Sequence, residues 1–141
     1  MESNKLDKYI NTINLAICLF QSVESAIKHY LETAFEIIKK ETKHKIPFNY
    51  SRKDIDNCSL SRLINIFSKY NDNTGLVAEL KANITHGNWI AHQAFDGSVF
   101  QKTQDKKSIK EINKLIGAAG ILYLKIFEEI KKLKTDNSAL E

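Results

Sequence analysis

An all-α fold follows from three features of the sequence. Only five glycines and one proline, Pro47, interrupt 141 residues, which favours long helices over many turns. Apolar residues recur at steps of three, four and seven over extended stretches. No convincing alternation of apolar and polar residues marks a strand, and VFQKTQ at 99–104 is at most a short extended piece. The predicted architecture is an antiparallel four-helix bundle with a long first helix and a long last helix. It forms one domain, 1–141, with its core over about 4–134 and a disordered tail over about 135–141.

The first helix is predicted over about 4–42. Leu6, Ile10, Ile13, Ile17, Phe20, Ile27, Tyr30, Leu31, Ala34, Phe35 and Ile38 form its apolar stripe, and a bend near Gln21-Ser22 would shorten its reach. Lys39, Lys40 and Lys43 sit where the helix dipole favours cations. A polar linker follows, KHKIPFNYSRKDIDN, in which Pro47 forbids helix continuation. The second helix, SLSRLINIFSKY, places Leu60, Leu63, Ile64 and Phe67 on one face, with Ser59 as N-cap.

The third helix is predicted from Thr74 or Gly75 toward Phe95. The fourth opens at a capping box, Ser108-Ile109-Lys110-Glu111. Its stripe runs through Ile109, Ile112, Ile116, Ala119, Tyr123, Ile126, Ile130 and Leu133, widened by Leu115, Leu122 and Phe127. Gly117 and Gly120 leave a notch where another helix can approach closely. A stripe this wide implies burial on two sides, one within the chain and one at a dimer contact.

Bulk composition excludes several classes. Hydrophobic content of 43% and charged content of 27% describe a globular protein. Cys18 and Cys58 make no disulfide framework, and Cys18, inside the apolar run LAICLF, is expected to be a buried free thiol. The same run is too short for a signal core or a membrane span, and the preceding MESNKLDKY is mixed in charge. A cytoplasmic protein without membrane contact is therefore expected. The net charge of +4 comes almost entirely from lysine; Arg52 and Arg62 are the two arginines. Lysines cluster at 39–45, 106–110 and 131–134, which permits contact with a phosphate backbone and equally suits solvated helix ends.

No HExxH, paired-cysteine spacing, Walker loop, GxSxG elbow or dinucleotide glycine pattern occurs, so neither a metal nor a cofactor is expected. One stretch stands apart. ITHGNWIAHQAF, residues 84–95, holds the only tryptophan and two of the four histidines. At about 100° per residue, Leu76, Val77, Leu80, Ile84, Gly87, Ala91, Ala94 and Phe95 form a core stripe. Beside it, Lys81, Thr85, Asn88 and His92 step by four, three and four as one polar row. Trp89 follows the row, and His86 points about 120° away from His92. Such a row hydrogen-bonds to a neighbouring helix or holds a ligand.

The segment GLVAELKANITHGNWIAHQAF resembles the third-helix signature of the HEPN superfamily, small helical domains of prokaryotic toxin–antitoxin and phage-defence systems. Their motif is an arginine, commonly followed by asparagine, then a histidine four to six positions after the arginine, often as R-N-x-x-A-H. Asn88-Trp89-Ile90-Ala91-His92 matches the last five places, Leu76 to Lys81 matches the approach, and the helix order fits over most of 4–134.

In active members the resemblance implies metal-independent RNA cleavage at a dimer cleft, with the histidine and arginine assisting 2′-hydroxyl attack and stabilising the developing charge. His92 and Asn88 would then be the catalytic residues, with Lys81, Thr85, His86 and Trp89 as binding residues. The chain departs from the motif at the arginine, where it has Gly87. Lys81, a protonated His86 or Arg62 are the candidates for a substitute cation.

Three readings follow. The first is a dimer of this type that binds RNA or a partner protein, such as a cognate antitoxin or a nucleotidyltransferase-like partner, with ribonuclease activity weak or lost. The second is an active metal-independent endoribonuclease using His92. The third is a structural helical protein that acts by interaction or regulation alone.

Overall fold

A computed structural model describes residues 2–43, 45–93 and 106–137; the side chains at 2–3, 85–93 and 106–108 lie outside that description. The described residues are helical and contain no strand. The helices are α1 (Glu2–Thr42), α2 (Leu60–Tyr70), α3 (Thr74–Gln93) and α4 (Lys106–Asp136), with one 3-10 turn at Arg52–Asp54. The extended piece expected at 99–104 lies outside the described residues, as do Ala94 and Phe95.

Helix α1 has 41 residues and is helical without interruption past Gln21 and Ser22. At about 1.5 Å per residue it extends about 60 Å. Its buried line is Tyr9, Ile13, Ala16, Val23, Ile27, Tyr30, Leu31, Ala34 and Phe35. The line facing it on α4 is Ile112, Leu115, Ala119, Leu122, Ile126 and Ile130, again at steps of three and four. An 18-residue window of α1 has a mean hydropathy of 1.2, long and apolar enough to cross a membrane by length and composition. Residues of that same helix form the core.

The residue pairings define the packing directions. Tyr9, Ile13 and Ala16 cluster with Ile112 and Leu115 at the starts of the two long helices. Val23 to Phe35 cluster with Ala119 to Ile130 further along both. Helices α1 and α4 therefore run side by side in the same direction. The expected antiparallel relation holds for α3 on α4, where Asn73 meets Glu129 and Glu79 meets Lys125.

The linker explains the parallel pair. It doubles back along α1, so that Arg52 reaches Glu32 and Lys28 reaches the carbonyl of Asp56. Ile55, within this otherwise polar segment, is buried in the main core. Helix α2 consequently lies against the C-terminal half of α1, with Phe67 on Tyr30 and Tyr70 on Phe35 at ring separations of 4.8 and 5.3 Å. Its N-cap is Ser59, whose hydroxyl accepts from the Arg62 amide.

Four expectations need correction. Cys18 is exposed rather than buried, beside Leu15, which is also exposed. Six consecutive apolar residues on a helix cover every side of it, so LAICLF cannot all face one core. Ser108 is not the N-cap of the last helix, because helical backbone already begins at Lys106. Tyr123 and Phe127 lie on the outer face of α4, and Leu115 and Leu122 carry the inner line in their place. The tail is shorter than expected, since α4 continues to Asp136 and Asn137 still donates to the Leu133 carbonyl.

Candidate functional site

Helix α3 carries the polar row. It runs from Thr74 through Gly87 to Gln93, so the cost of a mid-helix glycine, about 1 kcal/mol relative to alanine, does not break it. Leu76, Val77 and Leu80 are buried and Ile84 packs on the same core, which fixes the inward side of the helix. Lys81 is exposed at the margin of that side. Helical continuation carries positions 85, 88 and 92 along the same margin. The side chains of Thr85, His86, Asn88, Trp89 and His92 lie outside the described residues.

Neither arginine belongs to α3: Arg52 lies in the 3-10 turn and Arg62 on α2. Arg52 Nε donates to Asp56 Oδ1 at 2.8 Å and its Nη1 to Glu32 Oε2 at 3.2 Å. The Asp56 hydrogen bond, with Glu32 assisting, holds Arg52 still more firmly in its charged form. Arg62 lines a groove of about 310 Å³ with Phe35, Tyr50, Asp54 and Lys69, and no described side chain of α3 contributes to that lining. The lysine on α3 itself, Lys81, is eleven positions before His92, about 16 Å along the axis.

A second polar constellation, not foreseen from the sequence, anchors the start of α3. Tyr30, only 2% exposed, donates to the Tyr70 carbonyl at 2.7 Å and accepts from Asn71 Nδ2 at 3.1 Å. Burial, the largest cause, pushes the Tyr30 hydroxyl pKa above its ordinary value, and the Asn71 hydrogen bond partly opposes it. Asn71 Oδ1 in turn accepts from the Asn73 amide. Asn73 caps α3 by accepting from Leu76 N, and its side-chain amide donates to Glu129 at 2.7 Å. Glu129 is the buried charged side chain of the described core, with Lys132 Nζ at 3.8 Å from its other oxygen.

These residues line an open groove of about 970 Å³ between α2, α3 and α4. No buried side-chain nitrogen or oxygen among the described residues lacks a partner, so the constellation is a satisfied joint between helices. Asn73 was legible as a cap, since it directly precedes Thr74-Gly75; nothing in the sequence marked Glu129 as its partner. No group of three or more His, Cys, Asp or Glu side chains among the described residues is arranged to hold a metal ion. Compared with family models, curated proteins and solved structures, the chain matches none of them.

Proposed function

We propose that the protein is a HEPN-like helical-bundle protein of a toxin–antitoxin or phage-defence type system. It acts in the cytoplasm as a homodimer that binds RNA or a cognate partner, with ribonuclease activity weak or lost. The observation that supports this reading is the unbroken course of α3 through Gly87, which keeps positions 88 and 92 one turn apart on a single helix. The loss of activity rests on the cation. Position 87 offers no side chain, and Arg52 and Arg62 belong to the linker and the α1–α2 groove. Without a guanidinium at the scissile phosphate, phosphoryl chemistry slows by orders of magnitude.

The test is a gel shift with single-stranded RNA over a salt series, together with incubation of the protein with total RNA in EDTA. Retention of RNA that weakens with salt and with Asn88→Ala or His92→Ala supports the reading. Rapid cleavage abolished by His92→Ala moves the protein to the active endoribonuclease class. Neither binding nor cleavage at high protein concentration removes RNA from its function.

A further inference from the structure

The outer face of α4 is apolar and uncovered. Among the described residues, Ile121 is 55% exposed, Leu124 62%, Phe127 43% and Tyr123 37%, a concentration found on no other helix. Large apolar groups scattered singly are ordinary, whereas a contiguous patch marks a contact surface. Gly117 and Gly120 lie within this face, and a Cβ added to either would meet nothing within 4 Å. The notch therefore receives no helix from among the described residues. Positions 117, 120, 121 and 124 are spaced i, i+3, i+4 and i+7, the four corners of a hole that takes one side chain of a facing helix.

We propose that the occupant is a second copy of this chain, packed α4 against α4 in antiparallel fashion about a two-fold axis at Ile121. Ile121 of each copy enters the four-residue hole of the other, and the two glycines let the backbones approach closely. Charge selects this pairing. A two-fold at position 121 sets Lys114 of one copy opposite Glu128 of the other and Glu111 opposite Lys131, twice each, against one like-charged combination, Lys110 opposite Lys132, also twice. Lys114 has no ion-pair partner within the protomer among the described residues, and Glu128 is exposed, with only a loose 3.4 Å contact to Lys131. A parallel pairing would set Lys114 against Lys114 and Glu128 against Glu128, like charges that repel.

This assigns a surface to the homodimer proposed above, and rests on that part of the reading. Sedimentation equilibrium of the full chain tests it, with wild type, Leu124→Glu, Gly120→Leu, Lys114→Glu and the double variant Lys114→Glu/Glu128→Lys. All four positions are exposed or open, so circular dichroism should show wild-type helix content in every variant. A wild-type dimer whose dissociation constant rises at least tenfold in Leu124→Glu, Gly120→Leu and Lys114→Glu, and recovers in the double variant, supports the face and its polarity. A wild-type dimer unaffected by all of these overturns this face and leaves the homodimer standing. A wild-type monomer at 100-fold the concentration used for RNA binding overturns both.

Discussion

Asn73 and Glu129 join two helices from positions 56 residues apart in the chain, through a 2.7 Å hydrogen bond between an amide and a buried carboxylate. The same asparagine caps α3 with its other side-chain atom, Oδ1, accepting from Leu76 N at 3.1 Å. One side chain thus sets both where α3 begins and which level of α4 it meets. That level carries consequences down the helix, since the polar row lies further along α3.

Asn73→Ala should cost about 2–4 kcal/mol in urea unfolding. The lost cap accounts for about 1 kcal/mol. Leaving a buried carboxylate with only a distant lysine adds about 1–3 kcal/mol. Asn73→Ser keeps a capping oxygen but has no amide for Glu129, so its loss should fall between alanine and wild type. Equal losses for alanine and serine would show that capping adds nothing here.

Tyr30 gives the fold an alkaline limit. Its folded pKa is raised by burial, so below the unfolded value, about 10, both states hold the proton and stability is independent of this group. Above it the unfolded chain ionises first, unfolding releases a proton, and stability falls as pH rises toward the folded value. Tyr30→Phe should flatten that decline. At neutral pH it should cost about 1–2 kcal/mol, because the Tyr70 carbonyl and the Asn71 amide lose their partner. Chemical denaturation at pH 7 and pH 10.5 separates the two effects; an unchanged alkaline slope in the variant would assign the decline to other groups.

The helices were legible because their signal is local. Pro47, Ser59 and the three-four spacing place α2 and the end of α1 within a residue or two. The facing directions were less legible. Leu6, Ile10 and Ile17 were expected to lead the N-terminal stripe of α1, but they flank a line set by Tyr9, Ile13 and Ala16. Alanine and tyrosine carry little weight in an apolar count, yet both fill space against α4. The parallel course of α1 and α4 was not legible at all. It depends on a linker doubling back by means of Arg52, Lys28 and Ile55, with Arg52 bonded 20 positions back and Lys28 bonded 28 positions ahead.

The candidate site divides in the same way. Periodicity alone orders Lys81, Thr85, Asn88 and His92 on one margin; the structure adds that all four positions belong to one helix. The surroundings of Arg62 depend on tertiary packing, which sets it in the groove with Tyr50 and Asp54.

Lys43 closes α1 in the left-handed region, with φ at 48°, while its amide donates to the Lys39 carbonyl at 3.3 Å. That conformation costs a non-glycine residue about 1 kcal/mol. Lys43→Gly should therefore stabilise the protein by about 0.5 kcal/mol, the remainder being offset by the greater freedom of glycine in the unfolded chain. Thermal unfolding reads the sign. A destabilised variant would mean that the lysine side chain contributes more at this helix end than the strain removes.

Gly87→Arg tests the chemistry of the row most directly. It places a guanidinium where the resemblance expects one, five positions before His92 on a helix that already runs through the site. Helix propensity favours the exchange by up to about 0.8 kcal/mol, but position 87 belongs to the core stripe of the helical projection, so the arginine must reach past that stripe to water and the variant's melting temperature is measured alongside its activity. A charge-stabilising arginine contributes about 10³–10⁵ in phosphoryl transfer. Even a poorly placed one should raise metal-independent RNA cleavage by about a hundredfold over wild type. His92→Ala in the same background should abolish the gain, which separates restored catalysis from a contaminating nuclease. If Gly87→Arg folds normally and cleaves no faster, the Asn88–His92 row is not a disabled catalytic frame, and its polar residues serve packing or binding instead.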